Sequence, residues 1–176
     1  MCIRDRRQFA VNFFGAASVV RHALPHLRAS RGAVVNVSSA AAVFAIPFQA
    51  YYSASKAALN ALTLALRSEV GRFGVRVSAV MPGDVKTGFT AARRHVHAGD
   101  AVYGEAVARS VARMERDETN GMPPEAVARA IVRQAQKRRP KPVKVVGVSY
   151  QCMAAVQKLL PVRLVNALVG KIYGGR

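Results

Sequence analysis

The chain has 176 residues, 51% of them hydrophobic, which suffices for one substantial core and argues against two independent domains. Lys and Arg number 27 against 9 Asp and Glu, a formal net charge of +18 that brings a polyanionic partner into consideration. The basic residues are spread along the chain and dense only from Lys137 to Lys144, and no aromatic-rich stacking strand accompanies them, so nucleic acid is set aside.

In chain order, Met1 to Arg7 is charged and no apolar segment of secretory length follows before Asn12, so a cytoplasmic protein is expected. Phe9, Phe13, Ala17, Val20 and Leu24 recur at helical spacing, predicting a helix over about 8–27 that ends near Pro25. Arg31-Gly32 then turns the chain into a β-branched run, Ala33 to Val37, suited to a strand covered on both faces and closed by Ser38 and Ser39. Gly32 to Ser55 carries no charge, yet Asn36, Ser38, Ser39, Pro47, Gln49 and Ser53 make it a strand, a loop and a helix start, not a membrane span. The second long helix covers about 51–73, with Leu59, Leu62, Leu66 and Val70 on one face and Ala57, Ala58, Ala61 and Ala65 on another. Gly74 suits its C-cap, Val75 to Val80 reads as a strand, and Pro82-Gly83 as the turn leaving it.

Thr87 to Gly121, with a helical patch over about 103–116, looks like a lid or substrate loop. A helix starts at Pro123-Pro124-Glu125, with Val127, Ile131 and Ala135 on one face, and Val143 to Val148 is a third strand candidate. From Cys152 to Tyr173 the chain is amphipathic: Leu164, Leu168 and Ile172 align, and Lys158, Arg163 and Lys171 mark polar positions. Alternating helices and short apolar strands give an α/β fold, read as a doubly wound parallel sheet. Cys2 and Cys152 lie near opposite ends, and His22, His26, His95 and His97 lack ligand spacing, so neither a disulfide framework nor a metal site is expected.

The chemistry concentrates in YSASK. Tyr52 and Lys56 are four apart on a predicted helix and share a face, so the ammonium can favour the phenolate and bring Tyr52 toward working pH as a general acid/base. Tyr51 cannot substitute, because position 55 is Ser. Ser39 ends a strand, where ligands of open parallel sheets bind, and its hydroxyl can steady a carbonyl oxygen gaining negative charge. Singly, each residue has a plainer role: a solvated pair, a strand-end cap, or for Thr87 a helix cap.

Together the strings NFFG with Asn12, GAVVNVSS ending in Ser39, YSASK, and VSAVMPGDVKT ending in Thr87 resemble, in order and spacing, the classical short-chain dehydrogenase/reductase family over about residues 9–87. The resemblance implies a Rossmann-like domain and a nicotinamide-dependent oxidoreductase acting on a ketone or secondary alcohol. Tyr52 would exchange the proton, Lys56 would also hold the nicotinamide ribose, Ser39 would orient the carbonyl, and Asn12 would hold a water in a proton relay. Pro82, Gly83, Val85 and Thr87 would contact the nicotinamide end of NAD or NADP, and a homodimer or homotetramer would form through the two long helices when full length.

The sequence departs from that family in lacking the Gly-rich turn that cradles the dinucleotide phosphates. The expectation is therefore a domain incomplete at its N-terminus, with residues 1–6 non-native and 149–176 a helical tail, inactive by itself. An apolar substrate suits the tail. That basic, amphipathic tail also keeps open a second reading, a peripheral membrane or anionic-partner protein.

Overall fold

A computed structural model describes residues 3–88 and 100–174 of the chain. Its sheet has three parallel strands, β1 (Ala33–Val37), β2 (Arg76–Pro82) and β3 (Val143–Val146), in the order β1-β2-β3. Val37 lies opposite Val80 and Pro82 opposite Val146, so the carboxyl ends of all three strands gather along one edge.

Helices α1 (Ile3–Phe9) and α2 (Ala16–Ser30) form one rod through a π-helical segment, Ala10–Gly15. Helix α3 (Ala50–Val70) connects β1 to β2, and α4 (Asp100–Tyr103), α5 (Ala106–Thr119) and α6 (Pro124–Gln136) precede β3. Helices α7 (Val148–Gln157) and α8 (Val162–Tyr173) follow. Successive strand side chains point to opposite faces, and the core divides accordingly. Val34 and Val77 meet Val20, Leu66 and Val70 of α2 and α3, whereas Val35, Val80 and Val146 meet Val127 and Ile131 of α6. Because both faces are covered, β2 is buried almost throughout, and Val77, Ala79 and Val80 are fully enclosed. This is the α/β arrangement expected from the alternation of elements and the doubly wound, Rossmann-like form that the resemblance implied.

Several boundaries differ from the expected ones. The first helix continues through Pro25 to Ser30 and closes on Arg31, whose φ of 51° is left-handed, with Gly32 N–H bonding the Leu27 carbonyl at 2.9 Å. Pro25 deprives only the Arg21 carbonyl of its helical donor, and both residues are exposed, so water can satisfy it. β2 runs on to Pro82, tolerated as the last residue of a strand. β3 stops at Val146 because Gly147, at φ 95°, turns the chain and its carbonyl accepts the first α7 bond, from Gln151 N–H.

The amphipathic run after Cys152 is two helices, broken at 158–161. In α8 the inward side is Val165, Val169 and Tyr173, while Leu164, Leu168 and Ile172 stay half exposed: the Tyr173 hydroxyl donates to Asp117 Oδ2 on α5 at 3.0 Å and fixes that rotation. On α3 the leucine side is buried at Leu59 and Leu66, whereas Ala57, Ala61 and Ala65 are exposed. Among the described residues no helix is long and apolar enough to cross a membrane. Part of the expected lid, with His95 and His97, lies outside the described residues, as does Cys2.

Candidate functional site

The site is assembled where the strands end. Ser38 continues the β1 ladder, its N–H bonding the Val80 carbonyl at 2.8 Å, and its buried hydroxyl donates to the Lys56 carbonyl at 3.2 Å. Ser39 follows in extended conformation, and its Oγ accepts from Ala41 N–H at 3.1 Å, capping a short 3-10 turn, Ala40–Ala42. Capping uses only a lone pair. The Ser39 O–H has no acceptor among the described residues and stays available to an incoming oxygen.

Tyr52 and Lys56 lie one turn apart on α3, as their spacing predicts, with Lys56 Nζ 5.9 Å from the Tyr52 ring centroid. The ammonium reaches back to the end of β1 and donates to the Val37 carbonyl at 2.9 Å. Burial disfavours its charged form and lowers its pKa from the ordinary lysine value. Lys56 thus ties helix to strand next to Ser38 and Ser39.

Asn12 enters from the π-helical segment. Its Nδ2 donates to Ser55 Oγ at 3.1 Å, and Ser55 in turn donates to the Tyr52 carbonyl at 2.8 Å. The first turn of α3 is therefore pinned from α1–α2 through a fully buried serine, a role for Ser55 that sequence reasoning missed although it lies inside YSASK. Below it, Asn36 Nδ2 donates to Thr63 Oγ1 at 2.8 Å, a buried polar tie between β1 and α3.

The turn after β2 is gripped from underneath. The Tyr150 ring of α7 fills the space beside Gly83, where an added Cβ would come within 2.0 Å of it, and the Tyr150 hydroxyl donates to the Asp84 carboxylate. Burial raises the Asp84 pKa, and burial together with Asp84 raises that of Tyr150. Val85 bridges Met122, whose N–H bonds the Asp84 carbonyl at 3.0 Å and whose carbonyl accepts from Lys86 N–H at 3.0 Å. Gly121 is required there, since a Cβ would stand 2.6 Å from the Asp84 carbonyl carbon. Thr87 follows, exposed. Asp84, Gly121, Met122 and Tyr150 were not legible as site residues, because only the fold brings these distant positions together.

A groove of about 400 Å³ runs between the α1–α2 rod and the outer edge of β1, lined by Val19, Val34, Asn36 and Val37 and reaching Asn12 and Lys56. That edge of β1 has no strand partner among the described residues. Nor do three or more His, Cys, Asp or Glu gather there or elsewhere among them as a metal site would require. What the arrangement offers is one phenol, one desolvated ammonium and one uncommitted hydroxyl at the strand ends.

Comparison with known proteins points the same way. The sequence profile described as short chain dehydrogenase matches residues 5–98, more than half of the chain. A 3-ketodihydrosphingosine reductase of Bacteroides thetaiotaomicron is 36% identical over 154 residues, 86% of this chain and 57% of the reductase. Rat estradiol 17-beta-dehydrogenase 2 is 45% identical over 84 residues, 47% of this chain and 22% of the dehydrogenase. A short chain dehydrogenase from Burkholderia cenocepacia, solved in complex with NADP, superposes with a TM-score of 0.68 at 25% identity, over 96% of this chain and 58% of that one. The chain thus spans from about a fifth to under two thirds of these proteins.

Proposed function

We propose, on the premise that the chain belongs to the short chain dehydrogenase family, that its site exchanges a proton with the oxygen of a ketone or secondary alcohol in an NAD- or NADP-dependent oxidoreduction. The residues present suit the nicotinamide and ribose end of such a cofactor: the Lys56 ammonium, Tyr52 one helical turn away, and the Pro82–Val85 turn supported by Tyr150 and Met122. Thr87 extends that set. The phosphate end calls for a Gly-rich turn, and the 176 residues contain none, so by themselves they are expected to bind no dinucleotide. When bound, the cofactor supplies or accepts the hydride.

The remaining chemistry falls to the chain's own side chains. Ser39 donates its O–H to the substrate oxygen and fixes it at the end of β1. Tyr52 gives that oxygen its proton, or takes it in the reverse direction, and the adjacent Lys56 cation stabilises the phenolate left behind. Asn12 holds α3 through Ser55, and its Oδ1 is available for a water that relays protons by way of Lys56. The observation that carries this reading is the placement of Lys56 Nζ, bonded to the Val37 carbonyl at 2.9 Å and 5.9 Å from the Tyr52 ring centroid, beside a serine with an uncommitted hydroxyl.

Relatives named for 3-ketodihydrosphingosine and estradiol support an apolar substrate. We propose a cytoplasmic enzyme in which the chain, residues 1–6 aside, is the C-terminal portion of one domain, paired as a dimer or tetramer through α1–α2 and the exposed alanine side of α3. The test is Tyr52→Phe in a polypeptide that carries a Gly-rich turn ahead of these residues, followed by the absorbance of reduced nicotinamide with an apolar ketone. Loss of the proton donor is expected to lower turnover about 10²- to 10⁴-fold, and undiminished turnover would rule the mechanism out.

A further inference from the structure

The last acidic residue in the chain is Glu125, and the 51 residues after it hold eleven Lys and Arg and no carboxylate side chain. Within that basic stretch, the side of α7 facing away from the sheet is apolar. Val148, Cys152 and Val156 recur every fourth residue, and the line continues through Leu159 into Val162 at the start of α8. Val148 is 78% exposed, Leu159 86% and Val162 80%, so none of them is serving a core. Lys158 and Arg163, both exposed, bracket the turn that carries Leu159 and Val162, the two most exposed large apolar residues of this basic stretch. On α8, Leu164, Leu168 and Ile172 form a further line of half-exposed apolar residues, with Lys171 exposed beside Ile172.

This is a fixed surface and not a loose tail. Tyr150 on the opposite side of α7 packs against Gly83 and bonds Asp84, and Tyr173 bonds Asp117 on α5. We infer that the outer ridge of α7 and the 158–163 turn dock on an anionic lipid bilayer, the aliphatic side chains entering the headgroup boundary and Lys158 and Arg163 reaching lipid phosphates. A helix with an apolar side flanked by basic residues binds such an interface through both terms together, and long basic side chains can bury their stems while keeping their charges among the headgroups. A second copy of the chain fits the face less well, because two ridges flanked by Lys and Arg would oppose like charges in a molecule already at +18. Nucleic acid would satisfy the charge but offers nothing to the aliphatic ridge.

Docking there would set the Pro82–Val85 turn, on the other side of α7, close to the lipid. The docking itself does not depend on the proposed chemistry.

The experiment is flotation of the full chain with vesicles of phosphatidylcholine alone or mixed with phosphatidylglycerol, at low and raised salt. Binding to the mixed vesicles, weakened by salt and absent from neutral ones, is expected. Lys158→Glu with Arg163→Glu should lower the partition coefficient by about thirtyfold or more, and Leu159→Ser with Val162→Ser should release the chain from the same vesicles. Both pairs are exposed, so circular dichroism should be unchanged.

A control pair, Arg138→Glu with Arg139→Glu, alters the charge equally in the segment before β3, at the opposite end of the sheet from α7, and should be much less effective. The inference fails if the chain ignores anionic vesicles, if the control pair acts as strongly as Lys158 and Arg163, or if the serine pair leaves binding intact. It fails too if the ridge instead mediates lipid-free self-association that the serine pair abolishes.

Discussion

Replacing Gly83 by Ala tests whether α7 really braces the turn after β2. The new Cβ would lie 2.0, 2.1 and 2.4 Å from Cε2, Cδ2 and Cζ of Tyr150, so the ring must retreat by about 1.4 Å to reach an ordinary contact of 3.4 Å. Gly83 is not among the residues at positive φ, so alanine meets no backbone penalty and the cost is steric. Overpacking of this kind costs about 1–3 kcal/mol, and a ring pushed aside also loses its hydrogen bond to Asp84, which for a charged acceptor contributes about 1.5–3 kcal/mol. The two losses share one displacement, so a total of about 2–4 kcal/mol is expected in urea denaturation followed by circular dichroism. Introduced into a Tyr150→Ala background, where the ring is gone, Gly83→Ala should cost less than about 0.5 kcal/mol or even stabilise by restricting the unfolded chain. Equal costs in the two backgrounds would show that the ring is not the obstacle and would refute the bracing of this turn by α7.

Thr63→Val should destabilise by about 1–3 kcal/mol, since it removes the acceptor of the buried Asn36 Nδ2 without changing side-chain size much; a change below about 0.5 kcal/mol in the same assay would mean that Asn36 finds another partner. Tyr150 and Tyr173 have pKa values raised above the ordinary 10.0 of a phenol, mainly by burial. Their contribution to stability is therefore complete below pH 10 and is lost as pH rises beyond it toward the folded-state values, because unfolding then releases protons. Alkaline melts should show that loss in the native chain and a smaller one in Tyr150→Phe. Lys56 is displaced the other way: its lowered pKa means a stability cost that is present below the folded-state value and is relieved as pH climbs toward 10.5. Lys56→Met should accordingly keep or raise the melting temperature at neutral pH while abolishing turnover in the polypeptide that carries a Gly-rich turn, and a large drop in melting temperature would show that the bond to the Val37 carbonyl outweighs the cost of burying the charge.

What the sequence revealed and what it concealed divide along one physical line. The short apolar, β-branched runs around Val34–Val35 and Val77–Val80 and the helical spacing of Leu59, Leu66 and Val70 are local properties, so the strands and α3 could be read directly, as could Tyr52 and Lys56 on one helical side. The rotation of α8 could not. Its leucine line looks like the better core face on hydropathy alone, yet a single hydroxyl-to-carboxylate bond to Asp117, 56 positions earlier, turns Val169 inward instead. Tyr150 escaped notice for the same reason: nothing near position 150 signals a glycine 67 positions away with a ring-sized space beside it.

That separation also explains why Gly83 and Tyr150 should be considered together. On the proposed reading this turn presents backbone to the flat nicotinamide ring, and support from the ligand side would block it, so the support comes from beneath, where glycine admits the closest approach of another element. Here the support is a rigid aromatic ring whose hydroxyl also bonds the next residue, Asp84, and which sits on a helix whose opposite side is an exposed apolar ridge. If the ridge docks on lipid as inferred above, a displacement of α7 would reach the turn through the Tyr150 side chain. If so, vesicle binding and the conformation of the turn are coupled, and Tyr150→Phe, which keeps the ring but cuts the bond to Asp84, should leave lipid partitioning unchanged while abolishing any lipid-induced change in amide hydrogen exchange at 83–86. An exchange response that survives in Tyr150→Phe would mean that the coupling runs through ring packing against Gly83 alone.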